Sequence, residues 1–464
     1  MLRAPGLQGF GFLARDLPGF RVTGNQVKII QEPSQFYGEL LRRSGEARKR
    51  VVVSALYLGT GKQEKEMVEA LRQNLVSRAG LRVKVLLDWC RGSRLVAGES
   101  SKTMLAPLKQ GELGDRCNVS LYHTPHLRGM LKKVLPQRWN ETVGLQHCKV
   151  YVFDDSVIIS GANLSNDYFS NRQDRYLVVE DCPGLADYYE ECIDTIGRFS
   201  LNMDSSESLS THPSLKSHPY QGKLKDFVAE AGGLVKGFLE SQKERNIVKE
   251  VGEGDTLIFP TMQCGQLGIR QDSDVTAAIL AVGEQGAAFH LGSGYFNLTE
   301  SYCHALMHHS KADCQILMAH PSANGFLGAR GPAGGIPHAY TAIAKGFWSL
   351  LVSRGLENRI RMHEYQRQDW TFHAKGLWYS PPGQQLPALT MVGSPNFGCR
   401  SVERDLETQL VIVTEDPGLR TRLGQERDSL FQRSSLVTEE TWTAEGRSVP
   451  RWVSSVVGLA RNFF

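Results

Sequence analysis

Two histidine–lysine pairs have the residue types and the spacing expected of catalytic groups. His147 and Lys149 lie in HCKVYVFD, which ends at Asp154, and His373 and Lys375 lie in HAKGLWYS. The apolar residues that follow each pair predict a buried strand. Because residues i and i+2 of a strand point to the same face, each histidine shares a face with its lysine.

Each pair is followed by a turn that could hold a polar ligand. The first turn reads GANLS (161–165) and the second reads GSPN (393–396). Glycine lets a backbone approach closely, and amide and hydroxyl side chains hydrogen-bond to ligands. The candidate ligand-binding residues in these turns are Asn163, Ser165, Ser394 and Asn396.

If the two halves pack about a pseudo-twofold axis, both pairs meet in one cleft. Such a cleft suits an anionic phosphodiester, because lysines neutralise the non-bridging oxygens and fixed donors stabilise charge in the transition state. One imidazole can attack phosphorus while the other moves the proton, and this chemistry requires no metal or cofactor. A single His-x-Lys is weak evidence of catalysis, whereas two at matched positions are hard to explain by packing.

The positions match because the chain contains an internal duplication. Segments 51–88 and 287–320 each contain an apolar strand, a turn, an amphipathic helix and a second apolar strand. Four further blocks recur in the same order, namely 118–125 with 358–365, 147–154 with 373–380, 157–165 with 389–398 and 176–181 with 406–416. This pattern predicts an α/β fold of two duplicated α/β/α sandwich domains with the active site at their interface.

Composition places the domain boundaries. Residues 200–219 are Ser-rich and offer little core material, and the helical pattern that follows is interrupted at Gly232 and Gly233. The predicted units are an N-terminal segment at 1–25, a first domain at 26–200, a linker with an amphipathic helix at 201–250 and a second domain at 251–464.

Composition also narrows the functional classes. The 464 residues carry 53 Lys plus Arg against 49 Asp plus Glu, a net charge of +4, which argues against a nucleic-acid partner. Nine cysteines without a C-x-x-C pair predict free thiols in a reducing compartment. No apolar run approaches the length of a membrane-spanning helix. Arg3 and Arg15 precede the first acidic residue, which is a weak presequence signal.

The paired motifs resemble those of the phospholipase D superfamily, whose signature motif is H-x-K-x4-D followed by G-[SG]-x-N. His147, Lys149 and Asp154 match the triad in full, although Asn163 comes one position early. In the second copy Ser380 stands where the aspartate belongs, whereas the following turn fits the pattern. The resemblance implies the duplicated fold and the phosphodiester chemistry of that superfamily.

The flanking sequence narrows the resemblance. SALYLGTG, LQHCKVYVFDDSVIISGANLSNDYFSNRQDRY and the degenerate HAKGLWY look like the eukaryotic phosphatidylglycerophosphate synthase family, from about residue 25 to the end. That family transfers the phosphatidyl group of CDP-diacylglycerol to glycerol 3-phosphate through a phosphatidyl-histidine, at the mitochondrial inner membrane. There are two alternatives, a hydrolase of the same superfamily that uses water as acceptor and a non-catalytic relative that binds lipid. The sequence does not specify whether a divalent cation stimulates the reaction or which oligomeric state the protein adopts.

The resemblance also implies residue roles. His147 is expected to attack, because Asp154 completes only its triad, and His373 is expected to act as general acid and then base. Pseudo-symmetry leaves the reverse assignment open. Lys149 and Lys375 would hold the phosphate, which Asn163 and Asn396 would orient.

Further candidates follow each motif. Glu407 could support a histidine across the cleft and is a candidate replacement for the aspartate missing beside His373. Tyr57 and Tyr295 could line the cleft. The acceptor carries its own phosphate, and Arg172, Arg175, Arg400 and Arg404 could bind it, with surface salt bridges as the alternative.

Two basic apolar segments could rest on a bilayer. They are HLRGMLKKVLPQRWN (126–140) and the C-terminal PRWVSSVVGLARNFF (450–464), and packing on the core is the alternative for each. His304 and His308 are spaced like a metal pair on a helix, but the duplicated helix lacks ligands, so no metal site is predicted.

Overall fold

Two nine-stranded sheets, one for each half of the sequence, form the framework of the protein. The computed structural model describes residues 2, 4–134, 140–247, 254–328, 334–450 and 453. The first sheet has the strand order β11-β10-β5-β4-β3-β6-β7-β9-β2 and the second β1-β12-β19-β18-β17-β13-β14-β15-β20, while β8 pairs with β16 between them. The strands are β1 (Phe20–Val22), β2 (Val27–Ile30), β3 (Arg50–Ser54), β4 (Arg82–Asp88), β5 (Cys117–Tyr122), β6 (Val150–Phe153), β7 (Ser156–Ser160), β8 (Arg172–Gln173), β9 (Tyr176–Val179), β10 (Leu201–Met203), β11 (Leu209–Thr211), β12 (Thr256–Cys264), β13 (Ala288–Ser293), β14 (Asp313–Ala319), β15 (Ile360–Tyr365), β16 (Thr371–Phe372), β17 (Lys375–Ser380), β18 (Leu389–Gly393), β19 (Leu406–Thr414) and β20 (Ser434–Leu436).

Helices cover the sheets, as the strand–helix alternation predicts. The described α-helices are α1 (Phe12–Asp16), α2 (Pro33–Glu46), α3 (Lys62–Ser77), α4 (Trp89–Gly92), α5 (Ser101–Leu105), α6 (Gly129–Val134), α7 (Asn166–Ser170), α8 (Pro183–Arg198), α9 (Leu224–Arg245), α10 (Gln271–Ala281), α11 (Glu300–His304), α12 (Ile336–Ser353), α13 (Cys399–Glu403), α14 (Pro417–Phe431) and α15 (Glu439–Thr443). Within the described ranges no helix combines the length and the apolar character needed to cross a bilayer.

The duplication is visible in the topology. Strands β3, β4 and β5 pair in parallel, and β3 continues antiparallel into β6, β7 and β9. Strands β13, β14 and β15 and then β17, β18 and β19 repeat the same arrangement. The α/β fold predicted from the repeated blocks is therefore confirmed.

The apolar runs of the central strands follow from burial on both faces. Every residue of β6, β7, β18 and β19 is buried. A core that combines residues of both halves fills the space between the sheets, with α8, α9 and α14 contributing to it. Two further cores fill the outer faces of the second and the first sheet. Burial on both faces explains why these strands read as continuous apolar runs.

The chain passes from the second sheet to the first between β1 and β2, and it returns to the second sheet between β11 and β12. β1 lies in the N-terminal segment but pairs with β12 of the second sheet, and β10 and β11 extend the first sheet into the Ser-rich stretch. The interruption predicted at Gly232 and Gly233 is absent, because α9 is continuous. A Cβ at Gly232 would lie 2.7 Å from the carbonyl oxygen of Leu267, so this glycine permits close packing of the helix.

Candidate active site

Both histidines lie at the junction of the two halves, at the beginning of β6 and β17. The backbone N–H of His147 donates to the carbonyl of Leu406 at 2.8 Å, and the N–H of His373 donates to the carbonyl of Gln173 at 2.8 Å. Each carbonyl belongs to the opposite half. The pseudo-twofold relation predicted from the sequence is therefore built into the backbone hydrogen bonds of the site.

The next residue after each of these carbonyls is an acidic residue whose carboxylate hydrogen-bonds to the imidazole. His147 Nδ1 lies 2.9 Å from Glu407 Oε2, and His373 Nδ1 lies 2.6 Å from Asp174 Oδ2. A neutral imidazole whose Nδ1–H donates to a carboxylate leaves Nε2 with a free lone pair. Glu407 therefore supports His147 and not His373, whose carboxylate partner is Asp174.

Asp174 was missed by the sequence reasoning. A signal exists, because Asp174 directly follows Gln173 just as Glu407 directly follows Leu406, and both carboxylates enter the last repeated strand of their half. An alignment of NRQDRY (171–176) with RDLE (404–407) would have placed Asp174 opposite Glu407.

The lysines are enclosed beside the histidines. Lys149 Nζ donates to the carbonyl of His147 at 2.7 Å, and Lys375 Nζ lies within 3.2 Å of both ring nitrogens of His373. Burial lowers the pKa of Lys375 to about 8 and lowers the pKa of Lys149 below its usual value. A phosphate between them would restore the balance of charge.

Burial also governs the other ionisable groups of the site. It lowers the pKa of both His147 and His373 well below the usual histidine value, with the adjacent lysine as the second cause in each case. It raises the pKa of Asp174 to about 6 and raises the pKa of Glu407. Both imidazoles are therefore neutral at neutral pH before an anion binds.

The turn residues differ in how they are used. Asn163 Oδ1 and Asn396 Oδ1 are buried and have no hydrogen-bond partner among the described residues, so both could serve a ligand. Ser394 Oγ instead bonds to the backbone of Thr408 in β19. Ser165 Oγ lies 3.0 Å from the hydroxyl of Tyr57.

Asp154, predicted to complete the first triad, lies away from the histidines. Its carboxylate accepts the backbone N–H groups of Arg48, Lys49 and Arg50, at distances of 2.6 to 3.1 Å. It occupies the β6–β7 turn with a φ of 53°. Lys149 precedes it by five residues, which is about 16 Å along an extended strand. The aspartate of the motif therefore fixes a turn at the opposite end of β6.

Arg175, predicted to bind the acceptor phosphate, is also placed outside the cleft. Its guanidinium is fully buried, donates to both carboxylate oxygens of Glu426 at 2.8 Å and stacks on Trp378 at 3.8 Å. Further donors of this guanidinium bond to the carbonyl of Met391 at 2.7 Å and to the hydroxyl of Thr390 at 2.9 Å, so its hydrogen bonds are used within the fold. Arg175 joins the two halves, because Glu426 lies on α14.

Two of the other predicted arginines face the histidines. The charge of Arg172 lowers the pKa of His373, and the charge of Arg400 lowers the pKa of His147. Arg172 Nε donates to Thr371 Oγ1 at 3.0 Å, and Arg400 Nε donates to Asp405 Oδ2 at 3.0 Å. Arg404 lies further out and donates to the carbonyl of Thr142 at 3.2 Å.

Tyrosines line the wall of the cleft beside His373. Tyr295 meets the His373 ring edge-on at 5.5 Å and stacks on Tyr340 at 5.4 Å. Tyr168, which the sequence reasoning did not single out, places its hydroxyl 3.4 Å from His373 Nε2. Arg172 lies over the Tyr168 ring at 4.7 Å. Tyr57 carries Arg91, an arginine that the sequence reasoning did not single out, over its ring at 4.2 Å.

A metal ion is poorly matched to the group that most resembles a ligand set. Ligand atoms of His147, Asp405 and Glu407 lie within 4.8 Å of one another. The Asp405 carboxylate, however, already accepts the N–H of Leu145 at 3.0 Å and the Nε–H of Arg400. These donors take one position on each carboxylate oxygen, so a bound ion would have to share Asp405 with the charged guanidinium of Arg400.

Sequence comparison places this site in a known family. The family described as "Cardiolipin synthase, PLD-like domain" matches residues 40–196. The mitochondrial CDP-diacylglycerol–glycerol-3-phosphate 3-phosphatidyltransferase of Bos taurus is 41% identical over 100% of this chain and 87% of its own length. The chain belongs to this phosphatidyltransferase family. The family member from Saccharomyces cerevisiae is 32% identical over 92% of this chain and 85% of its own length.

A solved structure supports the fold. The phosphatidylserine synthase of Haemophilus influenzae Rd KW20 superposes with a TM-score of 0.73 at 19% identity and covers 98% of this chain and 99% of that chain. At this identity the likeness concerns the fold alone. The fold inferred from the motifs is thereby confirmed, and the family resemblance is confirmed by the sequence matches.

We expect Asp154→Ala to weaken folding without removing the site chemistry. Losing the acceptor for three backbone N–H groups should lower the free energy of unfolding by about 1–3 kcal/mol. The turnover number per folded molecule should stay within about threefold of wild type, whereas Glu407→Gln should lower it roughly 10²-fold or more through loss of imidazole orientation. Denaturant unfolding and initial rates test this. Normal stability with lost activity in Asp154→Ala would contradict it.

Proposed function

We propose that the cleft carries out the reaction for which the family is named, transfer of the phosphatidyl group of CDP-diacylglycerol to glycerol 3-phosphate. The products are phosphatidylglycerophosphate and CMP. The observation that carries the proposal is the pair of buried imidazoles, each oriented by a carboxylate of the opposite half and each beside a lysine. These groups suit a phosphodiester, and the family relationship supplies the donor and the acceptor.

The chemistry proceeds in two displacements. In the first, the Nε2 lone pair of His147 attacks the phosphorus that carries diacylglycerol, the N–P bond forms, and the bond to the CMP oxygen breaks. In the second, the acceptor hydroxyl attacks the same phosphorus, its proton passes to Nε2 of His373, and the N–P bond breaks. Lys149 and Lys375 neutralise the non-bridging oxygens in both steps. The proton taken by His373 finally leaves to solvent.

The surroundings of the two histidines support His147 as nucleophile. Tyr168 lies six residues before Asp174, and the position six residues before Glu407 is Ser401, whose hydroxyl accepts the backbone N–H of Asn396. Tyr168 donates to Nε2 of His373, whereas the described residues offer no hydrogen bond to Nε2 of His147. A lone pair already engaged by a phenol is a poorer nucleophile. This hydrogen bond lowers both the nucleophilicity and the basicity of Nε2, so it favours His147 as the attacking group and leaves the proton to His373, the other imidazole of the pair.

The second phosphate of each substrate requires cations beyond the two lysines. Arg172 and Arg400 supply charge on either side of the histidines, and Arg91 adds a third guanidinium on Tyr57. The acceptor enters on the side from which CMP leaves, because both occupy the position opposite His147. Arg172, beside His373, can therefore hold the CMP phosphate first and the acceptor phosphate second.

The lipid substrate also requires contact with a bilayer, which we place at the mitochondrial inner membrane as a peripheral association. In the described part of the first basic segment, Met130 and Val134 of α6 are 73% and 69% exposed. Leu95 and Val96, on the loop after α4, are 64% and 57% exposed. Lys132 of α6 lies over the ring of Trp89 at 4.5 Å, so α6 and α4 are adjacent. The C-terminal segment 450–464 lies almost entirely outside the described residues.

The reaction itself is tested with detergent-dispersed CDP-diacylglycerol. We expect CMP release with phosphatidylglycerophosphate formed only when glycerol 3-phosphate is present. Acid quenching without acceptor, followed by peptide mapping under conditions that preserve N–P bonds, should locate the phosphatidyl group on His147. Phosphatidic acid formed regardless of acceptor would indicate a hydrolase, and label on His373 would reverse the assignment of the histidines.

Tyr168→Phe should change the pH dependence of transfer. Donation from Tyr168 stabilises neutral His373, so its loss should raise the pKa of His373 and move the acid limb of the rate to higher pH, by up to about one unit for a hydrogen bond of about 1 kcal/mol. The other titratable groups that influence the pKa of His373 all remain in the variant, although Arg172 loses its contact with the Tyr168 hydroxyl; they are Asp174, Lys375, Arg172, Lys149 and His147. Tyr189→Phe is the matched control, because its hydroxyl lies 3.4 Å from Thr408 Oγ1, away from both histidines. An acid limb that moves equally in both variants, or in neither, would refute the role of Tyr168.

Membrane contact through α6 and the loop after α4 is tested by vesicle sedimentation. The double variant Leu95→Glu and Met130→Glu should bind phosphatidylcholine–phosphatidylglycerol vesicles at least about fivefold more weakly, because acidic side chains oppose insertion and anionic lipid. Val76→Glu is the control, since Val76 is 62% exposed near the C-terminal end of α3 and belongs to neither α6 nor the loop after α4. Turnover of a short-chain, micelle-forming donor should be unaffected. Equal vesicle binding by the double variant and the control would place the membrane contact elsewhere.

A further inference from the structure

A polar cavity of about 730 Å³ opens beside the site on the second half of the chain. The loops after β15 and before β20 form most of its lining, together with Ser322 and Leu327. Small-molecule sites commonly enclose roughly 300–1,000 Å³. Among the described residues of the lining, Leu327 is the single aliphatic side chain, so the lining offers little surface for acyl chains.

The cavity is linked to the histidines through one residue. Thr371 lines the cavity and accepts the Nε–H of Arg172 at 3.0 Å. It precedes His373 by two residues, or about 7 Å of extended chain. Arg172 also lies over the ring of Tyr168 at 4.7 Å, and the hydroxyl of Tyr168 is 3.4 Å from His373 Nε2, so this guanidinium connects the reacting centre with the cavity. A ligand anchored at Arg172 can extend into the cavity.

The charges around the cavity are balanced. Arg367 and Arg433 lie 3.5 and 4.0 Å from the carboxylate of Glu32, and Asp369 also lines the cavity. Two cations against two anions leave little net attraction for a phosphate. The lining therefore suits the uncharged part of a ligand better than its phosphate.

The remaining lining groups match a nucleoside. Trp370 offers an indole, which carries Arg367 on its ring at 3.3 Å, for stacking against a base. Amides and hydroxyls can bond to the polar edge of a pyrimidine and to ribose. These groups are the side chains of Gln366, Gln368, Gln432, Ser434 and Ser435.

We propose that this cavity binds the nucleoside of the donor, with the cytosine against Trp370 and the glutamine amides and with Arg172 holding the phosphate that leaves as CMP. The proposal rests on the proposed function, because it assigns one end of that donor. It gives the nucleotide and the acyl chains separate places, with the reacting phosphorus between them.

Steady-state kinetics of the full chain test this site with CMP as inhibitor. Trp370→Ala should raise both the KM for CDP-diacylglycerol and the inhibition constant of CMP about tenfold, and should leave the KM for glycerol 3-phosphate within twofold. Trp370→Phe keeps an aromatic platform and should restore most of the loss. Gln432→Ala, at an exposed position that folding does not require, should reduce the preference for CMP over UMP as inhibitor.

Two outcomes would overturn the cavity assignment, and a third would overturn the proposed reaction instead. Inhibition by CMP that is unchanged in both Trp370→Ala and Gln432→Ala, in an enzyme that makes phosphatidylglycerophosphate, would place the nucleoside elsewhere and leave the proposed function intact. Inhibition by ribose 5-phosphate as strong as that by CMP would show that the base contributes nothing. Conversely, if wild type binds CMP by titration but makes no phosphatidylglycerophosphate, and Trp370→Ala loses that binding, the proposed reaction fails while the cavity assignment stands.

Discussion

Each histidine of the site is anchored by the half of the chain that does not contain it. His147 bonds to the backbone of Leu406 and to the carboxylate of Glu407, and His373 makes the same two bonds to Gln173 and Asp174. Neither imidazole can be oriented until both halves have docked. The shared core between the sheets therefore does more than stabilise the fold, because its packing sets the distance between the two reacting groups.

Docking also removes the ionisable groups from water. Lys149, Lys375, Asp174 and Glu407 are all at most 2% exposed, and burial moves the pKa of each toward its neutral form. Transfer of charged groups from water is costly unless they are paired. A bound phosphodiester supplies the counter-charge for the lysines. Enclosure also limits water at the phosphorus, which favours an alcohol acceptor that brings its own binding energy.

Much of the framework could be predicted from the sequence, because it depends on local periodicity and on repetition. The paired blocks identified the sheets, and the i, i+2 spacing placed each lysine beside its histidine. Asp154 does not join them because it lies in the turn beyond the far end of β6, about 16 Å along an extended strand from Lys149. Its place in the motif reflects the turn that it holds by three backbone N–H groups.

The remaining site residues depend on contacts between distant segments, which periodicity does not encode. Asp174 and Arg175 are adjacent in sequence, yet Asp174 orients His373 while Arg175 is paired with Glu426 on α14. Only the docked geometry separates these two roles. Gly232 is another residue whose role depends on a distant contact. It allows Leu267 to pack closely against a continuous helix and does not interrupt that helix.

The duplication supplies two equivalent histidines, and either could attack while the other carries the proton unless their surroundings differ. The backbone anchors remain the same in both halves, so the difference must come from side chains at matched positions. Tyr168 and Ser401 are one such pair, and Arg172 and Asp405, each two residues before the supporting carboxylate, are another. On the His373 side these substitutions place a phenol and a guanidinium, whereas on the His147 side they place a short hydroxyl and a carboxylate. Symmetry thus fixes the geometry of attack, and the proposed direction, attack by His147 and proton transfer by His373, rests on this local difference.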